Sequence, residues 1–176
     1  SISSSLSSGV SQIFSTKDAF AALKDDGSVI TWGANGGDSS SVSSSLSSGV
    51  SQIFSTDYAF AAVKDDGSVI TWGNSTYGAD SSSVSSSLSS GVSQIFSNTY
   101  AFAALKDDGS VVTWGYSNPG GDSSSVSSSL SSGVSKIFST GDAFAALKDD
   151  GSVVTWGLAT HGGDSISVAS ELSNGV

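Results

Sequence analysis

A fifteen-residue stretch, "AFAALKDDGSVITWG" from Ala19 to Gly33, returns with a single change each time at residues 59–73, 101–115 and 143–157. Its tryptophans, Trp32, Trp72, Trp114 and Trp156, are separated by 40, 42 and 42 residues. A period of this size is the mark of a solenoid, a propeller or an array. One such unit cannot bury its apolar surface alone and must be covered by its neighbour. The shorter first period comes from "WGANGGD", where the other units read "WGNSTYGAD", "WGYSNPGGD" and "WGLATHGGD". The length change therefore falls in a loop, where it is tolerated.

Each unit reads as three strands. In the first unit these are "VSQIFS" (Val10–Ser15), "AFAALK" (Ala19–Lys24) and "SVITWG" (Ser28–Gly33). Asp26-Gly27 between the last two predicts a two-residue type I′ hairpin, because both central positions then take positive φ. That turn pairs Leu23 with Ile30 and Ala21 with Trp32 on one face. Phe20, Ala22 and the stem of Lys24 then share the other face with Val29 and Thr31. Both faces carry apolar groups, as a small sheet packed between two neighbours requires. Phe20, Trp32, Phe60, Trp72, Phe102, Trp114, Phe144 and Trp156 recur at constant strand positions and are assigned to the core.

Serine-rich segments such as "DSSSVSSSLSSGV" join the units. Composition alone suggests disorder. Val42 and Leu46, however, recur at fixed spacing in every such segment, which predicts an ordered connector. Asp38 is placed to cap a short helical turn ending at Gly49, with a fourth outer strand as the alternative. The chain is expected to form a single repeat domain over 1–176, with units at 1–40, 41–82, 83–124 and 125–166 and a partial connector at 167–176. Ile2, Leu6, Gly9 and Val10 begin with a connector, and Val168, Leu172, Gly175 and Val176 end with one. In that last connector Ile166, Ala169, Glu171 and Asn174 replace serines. The chain is thus expected to be a portion of something longer. If four units do not close on themselves, Phe20-type and Trp32-type side chains remain uncovered at the ends.

The core "ALKDDGSVITWG", preceded by "VSQI", resembles the repeat of the regulator of chromosome condensation family. That family's unit centres on "ALxxDGxVxxWG" after a "VxxI" strand, and the match spans all four units. The resemblance implies a β-propeller with one repeat per blade, typically of seven blades. Here "GGDS" or "GADS" stands where the family has "GQLG". Phe20, Phe60, Phe102 and Phe144 occupy the position of a frequent His, and a serine-rich flank replaces a Pro-containing one. The fold class expected is all-β, with propeller-like blades of three to four antiparallel strands. The alternative is an open β-solenoid or fibre of the same units.

Variation among the units is confined to two windows. One follows the first strand and the other follows the third, so an antiparallel meander brings both to one edge. All four tyrosines (Tyr58, Tyr77, Tyr100, Tyr116) fall in these windows, as do the sole histidine (His161) and four of the five asparagines (Asn35, Asn74, Asn98, Asn118). With Lys17, Asp18 and Asp57 they form the candidate binding set, since Tyr, Asn, Ser and Gly are residues of adaptable recognition loops. The same variation also arises where exposed loops drift freely.

Other chemistries find less support. The net charge of −10, with six lysines and no arginine, argues against nucleic acid and against anionic lipid. No apolar run is long enough to insert in a membrane. Cysteine is absent. His161 has Asp164 as its most local carboxylate, a position shared by units that lack a His, and no nucleophile–base–orienter set accompanies it. No enzyme and no cofactor are expected. Repeated Asp-Asp pairs such as Asp25-Asp26 leave calcium as a minor possibility, without the six or so oxygens one ion needs. The function expected is a non-enzymatic structural or adhesive repeat region of a larger extracellular or cell-surface bacterial protein, self-assembling through neighbouring repeats or other copies of itself. The alternative is a binding module that recognises a protein or glycan through the variable Tyr/Asn loops. A chromatin- or GTPase-related role is disfavoured by the acidity and the missing family-specific segments.

Overall fold

A computed structural model describes residues 5–173. The connector positions Ile2, Asn174, Gly175 and Val176 lie outside the described residues. Four three-stranded antiparallel sheets follow one another in chain order. The first holds β1 (Val10–Ser15), β2 (Ala19–Lys24) and β3 (Val29–Gly33). The second holds β4 (Val50–Ser55), β5 (Ala59–Lys64) and β6 (Val69–Gly73). The third holds β7 (Val92–Ser97), β8 (Ala101–Lys106) and β9 (Val111–Gly115). The fourth holds β10 (Val134–Ser139), β11 (Ala143–Lys148) and β12 (Val153–Gly157). Each blade has three strands and not four. The serine-rich connector makes only a short 3₁₀ turn, at Ser40–Val42 in the first case. Asp38 Oδ1 accepts from the Ser40 N–H at 2.9 Å and starts that turn.

The hairpin differs from the expected one by a residue. Lys24 N–H donates to Ser28 O and Gly27 N–H to Lys24 O, which makes Asp25-Asp26-Gly27 a three-residue turn. Only Gly27 takes positive φ, at 74°, as in a type I turn closed by a glycine bulge. Asp26 holds the turn with its side chain, accepting from the Ser28 N–H and Oγ–H at 2.9 and 2.6 Å. A one-residue change of register changes every cross-strand partner. Trp32 therefore faces Phe20, not Ala21, while Ala22 faces Ile30 and Leu23 faces Val29. The Phe20 and Trp32 rings stack at 5.3 Å, and each later unit repeats the stack at 5.1–5.3 Å.

This register sorts each blade into two unlike faces. Phe14, Ala19, Ala21, Leu23 and Val29 cover one face of the first blade. They pack on Ile53, Phe60, Ala62, Ile70 and Trp72 of the second blade, with Val42, Leu46 and Val50 of the connector filling the seam. The same joint recurs between the second and third blades and between the third and fourth. Alanines on the central strand let adjacent sheets approach, and the Phe–Trp stack packs into the seam between them. Backbone bonds lock each seam. Val50, Val92 and Val134 donate to the turn carbonyls of Gly27, Gly67 and Gly109, and Val29, Val69 and Val111 donate to Leu46, Leu88 and Leu130. Lys64, Lys106 and Lys148 each donate to a connector carbonyl, at 3.0, 2.8 and 2.7 Å.

Candidate functional site

First strands of successive blades lie side by side. Ser55 Oγ donates to Ser15 O and Ser139 Oγ to Ser97 O. The loops after these strands continue the contact as a backbone ladder, with Lys17 N–H to Asp57 O, Asp57 N–H to Thr99 O and Thr99 N–H to Gly141 O. One variable window from each unit thus forms the inner rim of a single edge. The second window reaches the same edge from the third strand. Thr56 Oγ donates to Tyr77 O at 3.0 Å, Asn98 Nδ2 to Pro119 O at 2.8 Å and Thr140 Oγ to His161 O at 3.1 Å.

The two windows of a unit meet as a pair. Asn35 donates to the Asp18 carboxylate at 2.8 Å. Tyr58 meets Tyr77 edge-on at 4.8 Å, and Tyr100 tilts against Tyr116 at 6.2 Å. His161 Nε2 lies 3.8 Å from Asp142. Neighbouring units are joined as well. Tyr77 stacks on Tyr100 at 5.5 Å, and Lys17 pairs with Asp57 while sitting over the Tyr58 ring at 5.6 Å. The hydrogen bond to Asp57 holds the Lys17 ammonium above its ordinary pKa against desolvation, with the Asp57 charge adding to it. The edge reads, in order, as a charged and amide end, a row of four phenol rings, and a His–Asp end.

Individual candidates differ in how free they are. Tyr116 is 48% exposed, and Asn118 and His161 are exposed; Tyr58, Tyr77 and Tyr100 are half-buried. Asn98 is buried. Its Oδ1 accepts from Tyr100 and Ala101 N–H, so its side chain is spent on holding the loops. Asn74 Oδ1 accepts from the Thr76 N–H and caps a short turn. His161 meets Asp142 across the edge, while Asp164, its neighbour in sequence, accepts from the Ile166 N–H. Asp142 escaped the sequence-based set, although it aligns with Asp18, Tyr58 and Tyr100 in the repeat. Of the residues assigned to the core, Phe60, Phe102, Phe144, Trp72, Trp114 and Trp156 are buried. Phe20, by contrast, is 46% exposed and Trp32 half-buried. Among the described residues no blade covers them.

The opposite edge is constant. Asp26, Asp66, Asp108 and Asp150 are all held below the ordinary carboxylate pKa by hydrogen bonds from the hydroxyl and the N–H of the serine two residues on. Among the described residues no three or more His, Cys, Asp or Glu side chains come together as a metal site would need. No described helix is long and apolar enough to cross a membrane.

No family model matches the sequence, and no curated protein matches it. Solved structures do. Yeast RCC1 (Prp20), in its structure with Kap60, superposes with a TM-score of 0.57 over 84% of this chain at 18% identity. The chain has the RCC1-like β-propeller fold. The CRINKLY WD40 ectodomain of the Arabidopsis thaliana receptor kinase ACR4 gives 0.55 at 17% identity, and human WBSCR16 gives 0.50 at 24% identity, each over 84% of this chain. At these identities the likeness is one of fold. This RCC1-like chain spans 42%, 52% and 47% of those three chains, about half of each.

Proposed function

We propose that this propeller segment is a non-enzymatic adhesive module of a larger extracellular protein, and that its variable-loop edge binds a protein partner. The row of four tyrosines crossing two blades carries the reading. Tyrosine offers large, rigid and amphipathic contact area at little conformational cost, and it is enriched where binding energy concentrates. Free drift of exposed loops gives no reason for aromatic rings to align across units. Yeast RCC1, of the same fold, is seen bound to Kap60, which supports a propeller of this type carrying a protein partner. A glycan stacked on the same rings is the second reading, favoured by the exposed Tyr116 ring. The near-identity of the three internal joints favours a purely structural role, in which the loops bind nothing.

The test is selection of binders to residues 1–176 from a displayed peptide library and on a printed glycan array. Each binder is then assayed against Tyr58→Ser/Tyr100→Ser/Tyr116→Ser. Loss of three aromatic anchors at about 1–2 kcal/mol each weakens binding by about 100- to 20,000-fold. Unchanged thermal unfolding of the variant separates this from loss of fold. Equal binding to both proteins would remove the reading.

A further inference from the structure

The two ends of this molecule are unlike, and each lacks what the other offers. At the first blade, no described blade packs on the face of Ile13, Phe20, Ile30 and Trp32, although Ala22 between these larger side chains is itself buried. Ile13 is 61% exposed, whereas its counterparts Ile53, Ile95 and Ile137 are 1–3% exposed. At the fourth blade it is the opposite face that is open. Phe138 is 51% and Val168 39% exposed, and Leu172 is only half-buried where Leu46, Leu88 and Leu130 are buried. Each internal seam joins one face of the first kind to one of the second.

The polar groups that lock a seam are also left over in matching pairs. Trp114 and Trp156 donate their indole N–H to Gly78 O and Gly120 O of the preceding unit, at 3.0 and 3.1 Å. Among the described residues no carbonyl meets the indole N–H of Trp32, nor that of Trp72, whose seam forms without this bond. Gly162 is the next glycine of that series and keeps the same positive φ, 102° against 105° and 108° for Gly78 and Gly120. Those two lie hard against the Phe102 and Phe144 rings, while Gly162 has open space where a ring would be. The backbone ladder of the inner rim ends, among the described residues, with Lys17 O at one end and Gly141 N–H at the other. The loop around Gly162 is already held in the seam-forming shape by Thr140 Oγ on His161 O, so little ordering cost remains for docking.

We infer that the fourth-blade face of one chain docks on the first-blade face of a second copy of the same chain, head to tail, as a fourth repetition of the internal joint. Gly162 then lies over Phe20 of the second copy, its carbonyl accepts from that copy's Trp32, and Gly141 N–H donates to its Lys17 O. Gly141 brings no charge to the slot opposite Lys17. Such a joint is heterologous: the two surfaces are different, so each chain retains one free end of each kind unless a ring closes. The occupant is a second copy because the three internal seams show what covers each face, and the residues that do so recur in the first and fourth blades.

The test uses two variants that each block one end, Ile13→Lys/Phe20→Glu and Phe138→Glu/Val168→Lys, all at exposed positions. Light scattering over a concentration series is expected to give association for the unmodified chain and a monomer for each variant alone. An equimolar mixture of the two variants is expected to give a dimer of twice the monomer mass, since each contributes its intact end. Recovery in the mixture also shows that both variants are folded, and far-ultraviolet circular dichroism checks the same. A concentration-independent monomer for the unmodified chain overturns the inference. So does a variant that still dimerises alone, which would mean like faces pair, and so does a mixture that stays monomeric while both variants are folded.

Discussion

Phe20 and Phe102 occupy the same position of the same repeat, pair with the same tryptophan partner in strand register, and live in different surroundings. Phe102 is fully buried under the second blade, while Phe20 is 46% exposed on a face that no described blade covers. Local sequence makes the Phe–Trp stack in both units, at 5.3 and 5.2 Å. Only the covering blade turns that stack into core. In a repeat protein, stability belongs to the joints between units more than to the units themselves.

The comparison breaks most visibly by truncation. Phe102→Ala is expected to lower unfolding free energy by about 3–5 kcal/mol, the usual result of emptying an aromatic core position. Phe20→Ala is expected to cost about 1 kcal/mol. Urea denaturation in the Phe138→Glu/Val168→Lys background makes the comparison without association between chains. Equal losses would mean that Phe20 is covered in solution even there.

A smaller effect lies in the one seam that differs. Trp72 Nε1 is buried without a partner, whereas Trp114 and Trp156 reach the carbonyls of Gly78 and Gly120. The first unit's shorter loop, Ala34–Gly36, does not bring a carbonyl to the same place. Replacing Ala34–Gly36 by Asn-Ser-Thr-Tyr-Gly is expected to stabilise the protein by about 1 kcal/mol, the worth of one hydrogen bond restored to a buried donor. A denaturation midpoint that does not rise would show that the orphaned indole is satisfied by water.

The smallest effect sharpens the comparison from the other side, because it is the same in every blade. The folded pKa values of Asp26, Asp66, Asp108 and Asp150 are lowered from 3.8. The unfolded chain therefore takes up protons first as pH falls. The turns' contribution is complete above the ordinary carboxylate value and is lost as pH drops through the lowered folded values. Asp26→Asn and Asp108→Asn are expected to flatten acid unfolding by the same small amount, read as the shift in melting temperature between pH 5 and pH 2.5. A larger effect at Asp108 would mean that the turns, too, depend on their neighbours.

Much of this fold was legible. The period, the three strands, the loop position of the indel and the ordered connector all follow from residues that recur. Register was missed, because Asp-Gly suits a two-residue turn as well as the end of a three-residue one. The Asp26 carboxylate accepts from the Ser28 N–H and hydroxyl and holds the three-residue form. The variable windows could be found by comparing the units. Their pairing, Asp18 with Asn35, Tyr58 with Tyr77, Tyr100 with Tyr116 and Asp142 with His161, could not, because it joins residues 16 to 19 positions apart across a sheet edge.

The sequence by itself determined the repeat, the strand pattern and which residues of one strand share a side, since these depend on residues close in the chain and on alternation along a strand, but not which side of the third strand joins which side of the second. Only the tertiary structure decided which faces are covered, which tyrosines touch, and why Phe20 and Phe102 are not equivalent. Burial is a property of what lies opposite a side chain, and four nearly identical units contain no local signal that says which of them stands at an end.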